Sequence, residues 1–595
     1  MQFMNPNPVS SVDGFPGDAA SVARLLAPRW RGRPRFVILQ TGFGAGRHFL
    51  AVWQAWRDDP ERAHQLHYLA LESNPCSVAA LAQDAAELRA VWPTLVRGFH
   101  RLSLDQGRVL LTLGIGEIKD GLPQVDALVD AFYLGEFAAG DSSGMLGKLA
   151  RLAAPGAMLV AAEASAGLRQ ALGHVGFVCE PQTGNSPLIA GFVSKWRQPA
   201  RADTLPERKA IVIGAGLAGA AACERLAARG WRLTLIERHP QPAQQASGNL
   251  AGIFMPLISK DDNPASRLTR AAYLFALRHW RALGGLGVGF AGEACGVLQL
   301  ARDAGHARVQ REIAAGGKLP AEFAQWLDAD AASAQLGVPV MHGGWLFSQG
   351  GWANPAGVCC AMLAACGDRL TRCFNQSAVR LERAGERWQV LDANGGVIAE
   401  APTVILANGI DAVNLEQASG LPLAVIRGQV THVAAECLPV LPHVVCGDGY
   451  LTRASQAYCS VGASYDAIDD TALRRDSHDA NLARLAALSP GLARDDAPLA
   501  GRVGFRCVAT DRLPLVGGLP DSAAASVRCE QVRDVPRLPG LYGLLGYASR
   551  GLIWAPLAAE LLAAQIEGEP LPIERDLAAA LDPARFLFKL RQRRG

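Results

Sequence analysis

Charge of one sign is the first thing this 595-residue chain lacks: 58 Lys and Arg against 55 Asp and Glu leave a formal net charge of +3. So small an excess carries no global electrostatic signature of nucleic-acid binding. Cysteine pairs are missing as well. The 13 cysteines are an odd count and none stands in a C-x-x-C pair; Cys359 and Cys360 are adjacent, with Cys366 and Cys373 farther on. That argues against a zinc ribbon and a secreted disulfide framework, so reduced thiols in a cytoplasmic protein without a metal are expected. No basic segment followed by an apolar run opens the chain, which does not read as a signal peptide. Nor does any uncharged apolar stretch reach membrane-spanning length, since 551–566 is interrupted by Pro556 and Glu560. A soluble protein is expected.

What is present is ordinary in bulk and informative locally. Half the residues are apolar and 19% are charged, as in a globular enzyme. The length exceeds what one core supports, so at least two domains are expected. Two basic clusters stand out, Arg29, Arg31, Arg33 and Arg35 near the start and Lys589, Arg591, Arg593 and Arg594 at the end. By themselves they read as solvated faces.

Two strand–glycine loop–helix openings divide the sequence. The first is the strand 36–40 followed by Gly42, Gly44 and Gly46; the second is 210–213 followed by Gly214, Gly216 and Gly219. Each begins a doubly wound α/β sheet, in which a buried parallel strand feeds a ligand-binding turn. Between them, 197–208 is rich in Pro and Arg and reads as a linker, which gives domains 1–196 and 209–595. In the first, strands are expected at 66–71, 109–113, 127–132 and 158–162, a helix over 78–91, and a closing hairpin of 175–179 with 188–194 around a turn at 183–187.

The second opening is a full G-x-G-x-x-G after an apolar strand. Its glycines allow the tight turn, the approach of a pyrophosphate and close helix–strand packing, and the following helix offers its amides to that pyrophosphate. The strand 232–236 ends at Glu237, placed to accept from a ribose hydroxyl. An acid there fits FAD or NAD and disfavours NADP.

Longer matches decide for FAD. The strand 404–407 ending at Asn408 and Gly409 resembles the strand that returns beside the dinucleotide in glycine-oxidase-like flavoproteins. The segment 540–552, with Ser549, Arg550, Gly551 and Leu552 before a helix over 555–566, resembles that superfamily's second flavin segment. Then Ala246-Ser247-Gly248-Asn249 with Met255-Pro256-Leu257, Arg427-Gly428-Gln429, Asp448-Gly449-Tyr450, Gly462-Ala463-Ser464-Tyr465, Arg506 and Asp511-Arg512-Leu513-Pro514 occur in the order of one family. Together they resemble the bifunctional tRNA 5-methylaminomethyl-2-thiouridine biosynthesis proteins, the MnmC family. The first portion is similar to that family's methyltransferase half. Its glycine loop matches; Glu72 stands at the second strand end, where an acid would bind the ribose of S-adenosylmethionine; Glu117 stands where the family has Asp beside the adenine. The family's D-G-F-A-P segment is matched here to Asp130-Ala131-Phe132-Tyr133-Leu134, and Gln40 replaces an acid before the loop.

The resemblance implies an S-adenosylmethionine-dependent, Rossmann-like methyltransferase domain followed by a glycine-oxidase-like FAD domain with a mixed α+β substrate portion. It implies removal of the carboxymethyl group from a wobble-uridine side chain, then methylation of the amine that remains, on the anticodon loop of tRNA. Arginine suits the substrate carboxylate because its planar fork makes two parallel charge-assisted bonds. Arg506 and Arg550 are the candidates, with Arg427 third, and Asp130 would accept the proton of the amine to be methylated or orient that amine. Phe132, Tyr133, Tyr450 and Tyr547 are candidates to stack a splayed base, and the two basic clusters gain weight as phosphate contacts. Two alternatives stay open: a small-amine oxidase with a degenerate first domain, and a tRNA-binding scaffold without chemistry.

Overall fold

The computed structural model describes residues 19–135, 142–162, 165–181, 187–193, 207–467, 470–492, 499–524 and 529–592. Most of the expected linker, the turn at 183–186, and Arg593 and Arg594 lie outside the described residues. The chain divides into two compact units: Met1–Thr204 with Gly568–Arg575, and Leu205–Glu567 with Asp576–Gly595. The first unit thus takes in a short segment that sequence order assigns to the second half. Within that unit Leu571 donates to the Asp126 carbonyl at 3.0 Å and Arg101 Nη2 to the Pro570 carbonyl at 2.7 Å.

The first unit is built on eight strands: β1 (Arg35–Thr41), β2 (Gln65–Glu72), β3 (Gly98–Leu104), β4 (Val109–Ile115), β5 (Val129–Leu134), β6 (Ala153–Ala161), β7 (Phe177–Cys179) and β8 (Leu188–Phe192). Their order in the sheet is β3-β4-β2-β1-β5-β6-β8-β7. β1, β2, β4, β5 and β6 run parallel, while β3 and β8 join them antiparallel at the two sides and β7 pairs antiparallel with β8. β1 and β5 are buried along their whole length, which is why they read as continuous apolar runs rather than alternating ones. The period of two decides which core each residue joins. Phe36, Ile38 and Tyr68 enter one core, and Val37, Leu39 and Leu69 enter the other.

Two expectations for this unit change. The helix expected over 78–91 is a 3₁₀ turn, Val78–Ala80, and a short helix, Ala86–Val91. Arg89 reaches back to the carbonyls of Leu81, Ala82 and Gln83, satisfying groups that a continuous helix would have paired. β3 was not anticipated. Its His100 and Arg101 are polar, yet both are buried and hydrogen-bonded, His100 to the Val96 carbonyl and Arg101 to Thr112.

In the second unit a six-stranded sheet carries the dinucleotide fold. Its order is Leu370–Phe374, Arg232–Glu237, Lys209–Ile213, Thr403–Leu406, Arg537–Leu545, Leu515–Pro520. The first five are parallel and the last is antiparallel. The helix Leu217–Ala227 is rich in Ala and packs closely against this sheet. The helix Gly551–Glu567 is buried almost all round, and its Glu560 is neutralised by Arg229 at 2.8 Å. That burial accounts for the apolar run noted at 551–566, and no described helix is long and apolar enough to cross a membrane. A second, eight-stranded sheet holds Leu423–Ala434 between Tyr458–Gly462 and Leu499–Ala509, and these three antiparallel strands supply the substrate-side wall described next.

Candidate functional sites

The second unit encloses a cavity of about 960 Å³. Gly214, Gly216, Glu237, Ser247 and Asn249 line it from the loop end; Asn408, Gly409, Ser549, Gly551 and Leu552 also line it. The glycine loop is shaped by close approach. A Cβ on Gly214 would stand 2.7 Å from the Ala407 carbonyl oxygen, and one on Gly219 only 1.8 Å from the Gly214 carbonyl oxygen. Gly219 therefore packs helix against strand rather than lining the cavity. Ser247 Oγ accepts from the Leu217 amide at 3.1 Å, at the start of the helix, and Glu237 accepts from Ala215 at 2.7 Å and from His239 at 2.9 Å. Each Glu237 oxygen keeps a lone pair for a hydroxyl.

The residues fit a flavin dinucleotide. Asn408 Oδ1 and the Tyr547 hydroxyl are buried polar atoms without a partner among the described residues, and both belong to cavity-lining residues. Such groups are costly unless a ligand completes them.

The substrate-side wall shows why its glycines and arginines alternate. Arg502, Gly504 and Arg506 share one face of the strand Leu499–Ala509, and Gly428 pairs with Gly504 on the neighbouring strand. A Cβ on Gly428 would meet the Arg506 guanidinium at 2.3 Å, so the glycine leaves the space that Arg506 fills. Arg506 donates to the Ser464 carbonyl at 3.0 Å and lies over the Tyr465 ring at 4.5 Å. Arg550 lines the same cavity, and burial lowers its pKa from the ordinary arginine value, with Cys446 and Tyr465 nearby. Among the described residues it has neither an ion-pair partner nor a side-chain hydrogen bond.

Arg427 is not part of this wall. It is wholly buried, bonded to Asp466 at 3.0 Å, Gln429 at 3.1 Å and the Asp470 carbonyl at 2.7 Å, so its fork is spent on these partners. Gly248 likewise stays off the cavity: a Cβ there would meet Arg502 Nη2 at 2.4 Å. Arg502 itself was not anticipated. It bonds Asn249 Oδ1 at 3.2 Å and the Gln244 carbonyl at 2.8 Å, holding the loop that carries Ser247. Its signal in the sequence is the two-residue spacing 502-504-506 on one strand face.

In the first unit, Gly42, Gly44 and Gly46 follow β1 and all have left-handed φ, at 78°, 56° and 82°. Glu72 ends β2 at the same edge of the sheet, and Glu117 follows β4 there, exposed. Glu72 is already engaged. One oxygen accepts from Phe43 at 2.7 Å and Gly44 at 3.0 Å, the other from Asn74 at 2.8 Å. It therefore braces the glycine loop as well as standing where a ribose hydroxyl could reach it.

Asp130 requires a correction. It begins β5, pairs laterally near Val37 rather than near Thr41, and so lies toward the sheet edge opposite the glycine loop. Its carboxylate accepts from Val37 at 2.8 Å and pairs with Arg33 at 3.0 Å. It is a buried structural acid, and the segment that follows β5 starts at Gly135, with 136–141 outside the described residues. The amino-terminal basic cluster is likewise occupied: Arg31 pairs with Asp59 at 2.9 Å, Arg33 with Asp130, and Arg29 bonds the Gly156 carbonyl. Phe132 and Tyr133 are 0% and 1% exposed and cannot stack a base.

Comparisons with known proteins agree with this anatomy. The family model "FAD dependent oxidoreductase" matches residues 209–565, and "S-adenosyl-L-methionine-dependent methyltransferase" matches 79–186. The chain is 45% identical to the tRNA 5-methylaminomethyl-2-thiouridine biosynthesis bifunctional protein MnmC of Burkholderia thailandensis, covering 96% of this chain and 92% of that protein. The protein of the same name from Burkholderia mallei is 45% identical, with 95% and 92% covered. Among solved structures, glycine oxidase from Geobacillus kaustophilus superimposes with a TM-score of 0.54 at 20% identity, over 64% of this chain and 99% of that one, a likeness of fold.

Proposed function

The chain belongs to the family of bifunctional tRNA 5-methylaminomethyl-2-thiouridine biosynthesis proteins, and from that premise we propose that it finishes a modified wobble uridine in two steps. The second unit removes the carboxymethyl group of 5-carboxymethylaminomethyl-(2-thio)uridine, leaving the 5-aminomethyl nucleoside. The first unit methylates that amine with S-adenosylmethionine to give 5-methylaminomethyl-(2-thio)uridine. The partner is the anticodon loop of a tRNA, in the cytoplasm.

FAD, when bound, supplies the acceptor for a hydride from the carbon between amine and carboxylate, after which water adds to the imine and releases glyoxylate. The chain's own residues position that carbon. Arg550 takes the substrate carboxylate, because its half-buried guanidinium has fork geometry and, among the described residues, no ion-pair partner. Arg506 contributes a second cation, held in place by the Ser464 carbonyl. Tyr450 stays a neutral phenol, its pKa pushed up to about 12 by burial, and so offers a proton rather than a charge to the cavity. In the first unit the glycine loop and Glu72 receive S-adenosylmethionine, with Glu117 at the same sheet edge. The proton of the amine goes to a group other than Asp130, which is committed to Arg33.

The observation that carries the oxidative step is Arg550, a half-buried cation with no carboxylate partner among the described residues, in a cavity that the dinucleotide loop also lines. The test is nucleoside mass spectrometry on tRNA bearing the carboxymethylaminomethyl group, incubated with the full chain and S-adenosylmethionine. The methylaminomethyl product is expected. Accumulation of the bare aminomethyl nucleoside would remove the methyl-transfer step; an unchanged nucleoside with flavin bound would overturn the tRNA reading.

A further inference from the structure

We infer that Tyr465 is the platform on which the wobble pyrimidine stacks while its side chain enters the flavin cavity. Tyr465 is 58% exposed and yet lines the cavity. One side of its ring is occupied by the Arg506 guanidinium at 4.5 Å, and it is close enough to Arg550 to influence that residue's protonation.

The ring is also held still. On one side Ser464 donates its amide to the Gln429 carbonyl at 3.0 Å, and its hydroxyl accepts from the Gln429 amide at 3.0 Å. On the other, Asp466 exchanges backbone hydrogen bonds with Arg427 at 2.9 and 3.0 Å and takes an ion pair from the Arg427 side chain. An exposed aromatic fixed in this way loses little freedom on binding, which is what a stacking surface needs.

The substrate's chemistry brings the base to this ring. Only three atoms, a methylene, the amine nitrogen and a second methylene, separate the pyrimidine from the carboxylate. A carboxylate held by Arg506 and Arg550 therefore leaves the pyrimidine near Tyr465, which lies against the Arg506 guanidinium and lines the same cavity. A splayed-out loop base is recognised by stacking on aromatic and guanidinium planes, and here the two planes are already layered. Of the four aromatics expected to stack a base, Phe132 and Tyr133 are buried, and Tyr450 and Tyr547 line the cavity as partly buried side chains, so none of them offers such a surface at its mouth.

This inference rests on the tRNA reading, and the experiment separates the two. Two anticodon stem-loop RNAs are used, one with 5-carboxymethylaminomethyluridine at the wobble position and one abasic there. Each is titrated against the flavin-loaded full chain and its Y465A, Y465L and Y465W variants. The wild type is expected to prefer the base-bearing RNA by roughly tenfold, the size of one base–aromatic stack. Y465A and Y465L should lose that preference while binding the abasic RNA as the wild type does, and Y465W should keep it. Flavin absorbance reports that each variant is folded. Equal losses on the two RNAs, or none on either, overturn the role of Tyr465. Failure of the wild type to bind the modified RNA overturns the tRNA reading beneath it.

Discussion

The chain contains two glycine loops that look alike in sequence and are built for different reasons. In the first, Gly42, Gly44 and Gly46 all adopt left-handed φ, and a Cβ on Gly44 would meet nothing within 4 Å. Glycine is needed there for handedness, and the loop is steadied by hydrogen bonds to the Glu72 carboxylate. In the second, Gly214 is left-handed but Gly219 is helical, and what excludes a side chain at Gly219 is the Gly214 carbonyl oxygen 1.8 Å away. Both loops are steadied by a strand-end carboxylate, Glu72 in the first and Glu237 in the second, and what sets the second apart is backbone pressed against backbone at Gly219. The same contrast runs through the charged groups nearby. In the second unit Arg550 has no ion-pair partner among the described residues, whereas in the first unit Asp130 is consumed by Arg33 and the Val37 amide.

The largest effect expected from that contrast is Gly219→Ala, where helix and strand must separate, at a cost of about 3 kcal/mol or more by the measure of overpacked cores. The purified variant should lose flavin absorbance and amine oxidation together; a yellow, active Gly219→Ala protein would erase the steric half of the comparison. Next comes Arg550→Ala, which removes a charged hydrogen-bonding pair with substrate and should lower kcat/KM for flavin reduction by about 100-fold. Arg550→Lys should recover only part of this, because the fork is lost while the charge remains. An effect confined to stability, with kcat/KM unchanged, would count against the carboxylate role. Gly44→Ala should be milder. The strain of a left-handed alanine, about 1–2 kcal/mol, is expected to weaken S-adenosylmethionine binding by roughly tenfold in calorimetry while the flavin remains bound. The smallest effect is assigned to Asp130→Asn. The methyl-transfer rate should stay within about twofold of wild type, with a modest fall in melting temperature from the weakened pair with a half-exposed arginine. A collapse of methyl transfer in a folded Asp130→Asn protein would restore this acid to the catalytic machinery.

Much of the flavin site was legible because its signals are local. The strand, the glycine spacing and Glu237 fall within one short stretch, and a nucleotide loop constrains adjacent residues so tightly that their order alone is diagnostic. Asp130 was misplaced for an equally local reason. A strand end is located only to within a few residues by pattern, and the strand expected at 127–132 runs from Val129 to Leu134, which places Asp130 near its start. Arg427 and Arg506 show a different limit. Both are arginines in matching motifs on paired strands, and only the facing residues separate a fastening role from a cavity-lining one.

The sequence by itself determined the two α/β openings, the dinucleotide loop with its acid, and the family to which the chain belongs, because each depends on residues close together or on motifs kept in order. Only the tertiary structure decided which charges remain unpaired, which aromatic stands open at the cavity, and which end of a strand an acid occupies. Those depend on contacts between segments far apart in the chain, such as Arg33 with Asp130, Gly428 with Arg506, and Arg506 with Tyr465, and no single stretch of sequence contains both partners.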